Sequence, residues 1–332
     1  MTKATMIIDL QYGSTGKGLI AGYLAEKEGY DTVINANMPN AGHTYINSVG
    51  RKWMHKVLPN GIVSPNLKCV MIGPGSVFEP SRLQKEIDDS TDLLENVRIM
   101  IHPLASVLDP HHREMEAQVL NGISSTMQGS AAAMVEKIWR QKDQNPTAID
   151  NLVGDLRQYL CSIDEWRSAL NEAKSILIEG AQGHSLGLNA GFYPYCTSRD
   201  CTPARFLADC GVPHKMLGRV VGTARVHPIR VGNTKDGHSG GHYPDQYEMN
   251  WDDLGVEAET TTVTGRIRRV FSFSRWQIEA AIFDCQPDDI FLNFCNYDDE
   301  DSKFAIEQIK EAGGKIKYLG FGPTIDDVRE LK

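Results

Sequence analysis

The sequence predicts an α/β fold, a mainly parallel central sheet flanked by helices, with a P-loop-like phosphate site and small subdomains. Three observations carry this. Short apolar runs alternate with helix-length amphipathic stretches. A glycine loop, Gly13-Ser14-Thr15-Gly16-Lys17-Gly18, joins one apolar run to a helix-like stretch. Further polar, glycine-containing segments follow apolar runs, where parallel sheets gather ligands. In order, residues 6–10, 32–35, 69–72, 98–101, 175–179, 219–222, 290–292 and 315–319 read as strands, being short, apolar and bounded by turn residues. Residues 19–25, 80–94, 132–140, 164–173 and 301–312 read as helices. No repeat, low-complexity segment or linker interrupts the alternation, so residues 1–332 read as a single domain. The stretch 231–259, rich in Gly, His, Asp and Asn, reads as a long surface loop. His238 and His242 within it read as solvated, since no third ligand stands nearby.

Composition narrows the class. Of 332 residues, 41% are hydrophobic and 23% charged, which allows a sizeable core. A net charge of -9 argues against a nucleic-acid partner, which needs clustered Lys and Arg. No window approaches the ~18 apolar residues of a membrane span. Met1-Thr2-Lys3-Ala4 runs into a strand without a signal-peptide pattern, so the expected location is the cytoplasm, the host's if the protein is viral. Seven scattered cysteines with no CxxC pair read as reduced structural thiols, and Cys196 with Cys201 lacks zinc-site spacing.

Several segments carry chemistry. A strand entering a glycine loop and then a helix presents unpaired backbone N–H groups to an anion, and Lys17 adds a point charge. The order is not a Walker A pattern, because Gln11 and Gly18 stand where Gly and Ser/Thr are needed. Alone, the loop is either a phosphate cradle or a plain turn. Asn37 to Thr44 follows a strand and holds His43, a side chain that can exchange a proton near neutral pH or be merely structural. Glu179-Gly180-Ala181-Gln182-Gly183 follows another strand; the Gln182 amide suits a purine edge, and the hydroxyl of Thr197 suits a phosphate. Thr262 to Arg269 sets three arginines beside two threonines, which fits a dianion or a solvated basic face.

Taken in order, QYGSTGKG, NAGHT, HKVLPNGI, IGPG, EGAQG, YPYCTS, TGRIRR and GFGP resemble the adenylosuccinate synthetase family over most of the chain. The resemblance implies a ligase that phosphorylates O6 of a purine monophosphate and lets the amine of aspartate displace that phosphate. It assigns Ser14, Lys17, His43 and Gln182 to catalysis. Phosphoryl-donor contacts fall on Gly13, Thr15, Gly16, Lys17, Gly18, Gly42, Thr44, Asn293, Asn296, Gly322 and Pro323. The purine monophosphate falls to Ser14, Asn40, Ser125, Thr126, Arg140, Gln182, Thr197 and Arg230, with Arg225 an alternative to Arg230. Thr264, Arg266 and Arg268 take aspartate, and Gly42 with Ser14 takes Mg²⁺. Arg140 matches an arginine donated across a dimer interface, which implies a homodimer.

Two departures from the family pattern bear on substrate. The family loop reads GDEGKG, and its Asp, a base and metal ligand, is here Ser14. A hydroxyl cannot serve as a carboxylate base or a charged ligand. A smaller neutral residue leaves room for a 2-amino group, as in the viral branch of the family, which uses dGMP. Where the family has TKLD, selecting GTP, this chain has Asn293-Phe294-Cys295-Asn296, which implies ATP or dATP as donor. The expected substrates are therefore dGMP, L-aspartate and ATP or dATP. The alternatives are an ordinary adenylosuccinate synthetase acting on IMP, and an inactive purine-nucleotide-binding relative.

Overall fold

The structure is a computed structural model that describes residues 3–261 and 265–331. Nine strands form one sheet: β1 (Lys3–Asp9), β2 (Thr32–Asn35), β3 (Cys69–Ile72), β4 (Arg98–Ile101), β5 (Ser175–Glu179), β6 (Leu217–Arg225), β7 (Asp289–Asn293), β8 (Ile316–Gly320) and β9 (Val328–Glu330). Their spatial order is β9-β8-β7-β6-β1-β5-β2-β3-β4. Every pairing is parallel except β8 with β9. The flanking helices are α1 (Lys17–Glu28), α2 (Pro80–Asp89), α3 (Pro110–Val119), α4 (Ser130–Trp139), α5 (Ile163–Glu172), α6 (Pro203–Asp209), α7 (Arg275–Cys285) and α8 (Asp299–Glu311).

Both faces of the sheet are covered, which is why its strands read as unbroken apolar runs rather than alternating ones. From β1, Met6 and Ile8 face the core layer built with α5 to α8, while Ile7 faces the layer built with α1 and α2. All three are fully buried, and each contributes roughly 1.5–3 kcal/mol by leaving water. The chain leaves β1 through α1 to β2, works outward to β4, and only then returns to place β5 and β6 on either side of β1. The winding thus changes direction at β1, and a crevice opens at its carboxyl end. Register sets Asp9 beside Thr223, Glu179 beside Asn35 and Arg225 beside Asn293 along that one edge.

All eight expected strands are present. The strand expected at 219–222 runs over Leu217–Arg225, because Thr223 and Arg225 are buried polar residues that apolar periodicity does not register. The helix expected over 80–94 breaks at Ser90, leaving a short turn at Thr91–Leu94. β9 escapes apolar patterning because two of its three residues are exposed and charged, as edge strands tend to be. The loop at 231–259 is less solvated than expected: Ser239, Gln246 and Trp251 are buried, and Glu248–Met249 pairs with Arg269–Phe271. With Ile229–Arg230 this makes a three-stranded accessory sheet, and His43–Ile46 pairs with Lys52–His55 in a separate hairpin. The cysteines are free, six of them buried. Among the described residues no helix is long and apolar enough to cross a membrane.

His102, just past β4, offers a stability test. Its ring meets Trp166 of α5 edge-on at 4.9 Å, and Nδ1 accepts the Leu104 N–H at 3.1 Å. Burial, helped by Lys137, holds its pKa down to about 4. The unfolded chain binds this proton below about pH 6.5 while the native state does not, so the His102 contribution is present near neutrality and is lost as pH falls from 6.5 toward 4. The expected loss over that window is ~3 kcal/mol. Urea unfolding of wild type and His102→Asn at pH 7 and pH 4.5 checks it, the variant losing less over the same interval.

Candidate active site

The phosphate loop is organised by an acid at the end of β1. Asp9 Oδ1 accepts the N–H groups of Gln11 (2.9 Å) and Gly13 (3.2 Å), and Oδ2 accepts Lys17 Nζ (2.8 Å) and the Thr15 hydroxyl. Asp9, Thr15 and Lys17 are all buried. Lys17 also donates to the Gln182 carbonyl at 2.7 Å, which ties the loop to the turn after β5. Gly16 caps α1 in the left-handed region at φ 91°. A Cβ there would lie 2.2 Å from the Asn293 amide of β7, so any larger residue at 16 must displace that side chain. Gly18 is equally confined, against Asn60 and the Thr44 backbone. The loop, the hairpin carrying His43 and the end of β7 are therefore one packed unit.

Beside it lies a histidine–carboxylate pair. Glu179 ends β5; its Oε1 meets His43 Nδ1 at 2.5 Å and its Oε2 accepts the Asn60 N–H at 2.6 Å. Both side chains are buried, and the carboxylate fixes the ring so that Nε2 is the nitrogen left to meet a ligand. Gln182, in left-handed backbone at φ 56°, donates to Asn40 Oδ1 at 2.9 Å, and Arg199, fully buried on Asp209 and the Ala36 carbonyl, lies 3.5 Å from its Oε1.

The facing wall comes from loops. Ser125 and Thr126 sit between α3 and α4, which Glu136 clamps by bonds to His111 (2.7 Å) and His112 (2.8 Å). The Asp109 N–H donates to His112 Nδ1 at 2.9 Å, so His112 presents a proton on Nε2 to Glu136, and the trio is a hydrogen-bonded clamp. Arg266 donates to the Ser124 and Ser125 carbonyls at 3.2 and 3.1 Å, which brings the arginine run onto this loop. Arg230 lies 4.6 Å over the Tyr12 ring and donates to the Ser239 and Tyr195 carbonyls, yet its Nη1 is buried without a partner among the described residues. Burial disfavours its charged form, a cost that an arriving anion would offset. Thr197 is comparable: its N–H donates to the Leu186 carbonyl at 2.7 Å while its hydroxyl is buried without a partner among the described residues.

The family model for adenylosuccinate synthetase matches residues 6–150 and 136–296. The chain belongs to the adenylosuccinate synthetase family. It is similar to the N6-succino-2-amino-2'-deoxyadenylate synthase of Vibrio phage phiVC8, 59% identical over 99% of this chain and 98% of the relative. Among solved structures it resembles the succinoaminodeoxyadenylate synthetase of cyanophage S-2L bound to dGMP and dATP, with TM-score 0.92 and 39% identity over 99% of this chain and 95% of that one. The fold also matches the adenylosuccinate synthetase of Plasmodium falciparum, with TM-score 0.81 and 20% identity over 99% of both chains.

In this synthetase-family chain the other expected residues are placed unevenly. Ser14 is exposed at the mouth of the loop at φ 56°, and its carbonyl accepts Arg225 at 3.1 Å. Gly42 and Thr44 are exposed beside buried His43. Asn293 is buried and braces Gly16 and Gly320, whereas Asn296 and Pro323 are exposed and Gly322 packs on Asp327. Arg140 caps α4 with its side chain exposed, bonded only to the Ile138 carbonyl among the described residues. Arg268 donates to the Thr260 carbonyl at 3.2 Å; burial disfavours its charge and Glu259 offsets this. Thr264 lies outside the described residues.

Sequence reasoning did not single out Asp9, Glu179, Arg199 or Glu259. Glu259 pairs with buried Arg225, which also stacks 3.8 Å over Phe294. An acid closing an apolar run just before a glycine loop, as at Asp9 and Glu179, was the available signal. For Glu259 there was none, because its partner is 34 residues away.

Gly16→Ala is expected to destabilise the protein by more than the ~1–2 kcal/mol of left-handed backbone alone, because the new Cβ meets the Asn293 amide. Adding Asn293→Ala should recover the steric part and leave the backbone part. Urea unfolding of the two single variants and the double variant measures both.

Proposed function

We propose that the protein, acting as one domain, is a ligase that joins L-aspartate to C6 of dGMP using ATP or dATP, giving 2-amino-2'-deoxy-N6-succinyladenylate. Guanine O6 attacks the γ-phosphorus of the donor, the nucleoside diphosphate leaves, and N1 gives up its proton. The aspartate amine then adds at C6, the O6–C6 bond breaks to release phosphate, and the amine loses a proton. A poor leaving oxygen is thereby made a good one.

The observation that carries the reading is Ser14. The loop that carries Ser14, the His43–Glu179 pair and the Asn40–Gln182 pair lie on segments that follow strands of the central sheet. Only the position where the family keeps a carboxylate holds a small neutral side chain, leaving room at the N1/N2 edge for an exocyclic amine and a hydroxyl to bond it. The relative from cyanophage S-2L, bound to dGMP and dATP, and the phage phiVC8 relative named as an N6-succino-2-amino-2'-deoxyadenylate synthase support the same choice of substrate.

Roles follow from position. The backbone of Gly13, Thr15, Gly16 and Gly18, with Lys17, cradles the transferring phosphoryl, and α1 directs its positive end at it. His43, held by Glu179, donates a proton toward O6 as general acid. Gln182 and Asn40 read the purine, while Ser125, Thr126, Thr197 and Arg230 hold its phosphate. Thr264, Arg266 and Arg268 grip the aspartate carboxylates. Asn293, Asn296, Gly322 and Pro323 border the donor base. Arg140, exposed at the end of α4, completes the nucleotide site of a second subunit in a homodimer.

Gly42 and Ser14 offer neutral oxygens, a donor type that suits Mg²⁺ when phosphate oxygens supply the charge. The nearest acid of the loop, Asp9, is already engaged by Lys17 and Thr15. When bound, Mg²⁺ neutralises the phosphoryl charge that develops during transfer.

Phosphate release measured for dGMP, GMP and IMP against ATP, dATP and GTP, with aspartate and Mg²⁺, tests the reading. Turnover is expected with dGMP and an adenine donor; preference for IMP, or dependence on GTP, overturns it. Glu179→Gln should lower kcat by roughly 10²-fold, within the range attributed to general acid–base groups, while dGMP affinity changes little.

A further inference from the structure

A second cavity, of ≈ 330 Å³, borders the segment that carries Asn40 and His43 at Pro39 and the Ser125–Thr126 loop at Gln128. Its floor is apolar, formed by Val57, Val77 and Phe78, all buried. Its walls carry Lys56, Arg82, Lys85 and Arg113 and one carboxylate, Glu79. Arg82 is matched by Glu86 at 2.6 Å and Arg113 by Glu79 at 2.5 Å. Lys56 is different. Glu86 accepts its backbone N–H at 2.7 Å, but its ammonium has no hydrogen-bond or ion-pair partner among the described residues.

Burial, and next the Arg82 guanidinium, weaken the hold of Lys56 on its proton; Glu86 opposes this, Arg113 adds to the repulsion and Glu79 offsets part of it. The lining as a whole carries four cations, Lys56, Arg82, Lys85 and Arg113, against the one carboxylate of Glu79, an imbalance that an anion relieves. The first turn of α2 adds little, since Pro80 has no N–H and the Arg82 and Leu83 N–H groups both donate to the Glu79 carbonyl at 3.1 Å. Floor and walls together ask for a ligand with a phosphate at one end and an apolar or flat body at the other, and the volume falls in the range of small-ligand pockets.

We propose that this cavity is a second ligand site, separate from the catalytic crevice, which takes a small phosphate monoester with an aromatic or apolar body. Lys56 is the residue that recognises the phosphate. Occupancy would be felt at the catalytic centre by a short path. Pro39 lines the cavity and adjoins Asn40, and the Val57 carbonyl accepts the Asn35 amide at 2.8 Å at the end of β2.

Phenyl phosphate and inorganic phosphate are the probes, titrated calorimetrically with and without excess dGMP. Phenyl phosphate is expected to bind one equivalent in both conditions, and inorganic phosphate more weakly because it lacks the body. Lys56→Gln should weaken phenyl phosphate by about tenfold or more, leave turnover without the probe within about twofold, and leave the melting temperature unchanged or raised, since it removes a repelled charge. Lys52→Gln, an exposed neighbour, should bind as wild type. The proposal is overturned if phenyl phosphate does not bind, if dGMP abolishes its binding, or if Lys56→Gln binds it as wild type does.

Discussion

One buried carboxylate holds the catalytic end of this molecule together. Asp9 closes β1 and, with four donors on its two oxygens, bends the following loop back over the end of the sheet. Its partners span the loop, from Gln11 to the first residue of α1. A buried carboxylate is tolerated only when paired and hydrogen-bonded, and here Lys17 supplies the opposite charge. The same pairing keeps the lysine extended toward the turn after β5, where it also bonds the Gln182 carbonyl. The lysine charge is thus held, neutralised, between the glycine loop and the turn after β5.

The second carboxylate, Glu179, does for the proton what Asp9 does for the charge. It sits at the end of the strand next to β1, one oxygen on His43 and the other on the Asn60 backbone. Asn60 in turn bounds the space beside Gly18 at the start of α1. Histidine, phosphate loop and hairpin therefore cannot shift independently. Pre-organisation of this kind fixes the orientation of the imidazole without a reorganisation step.

The sheet was legible in the sequence because its strands are buried on both faces, and burial leaves a continuous apolar signature. What was not legible lies where polarity is buried. Thr223 and Arg225 extend β6 but look like loop residues, and β9 is an exposed edge. The motifs placed Ser14, Lys17, Asn40, His43 and Gln182 on successive loops, and parallel topology put those loops at one edge. Pairings between distant residues were invisible: Arg225 with Glu259, Arg266 with the Ser124 and Ser125 carbonyls, Arg199 behind Gln182. A sequence gives residue types along one dimension, whereas an ion pair across 34 residues is decided by how the sheet folds back.

Ser14 illustrates how backbone and chemistry can be separated. Its φ of 56° lies in the left-handed region, where among side-chain-bearing residues Asn and Asp are favoured. Serine gains no such preference, so the backbone at this turn would be served at least as well by the acid that the family pattern has. Nor does a neighbouring acid replace it: Asp9 is taken by Lys17, and Glu259 by Arg225, whose guanidinium also holds the Ser14 carbonyl. The turn therefore fixes the backbone at 14 and leaves the residue exposed, so an acid and a hydroxyl can exchange there with the shape of the loop preserved.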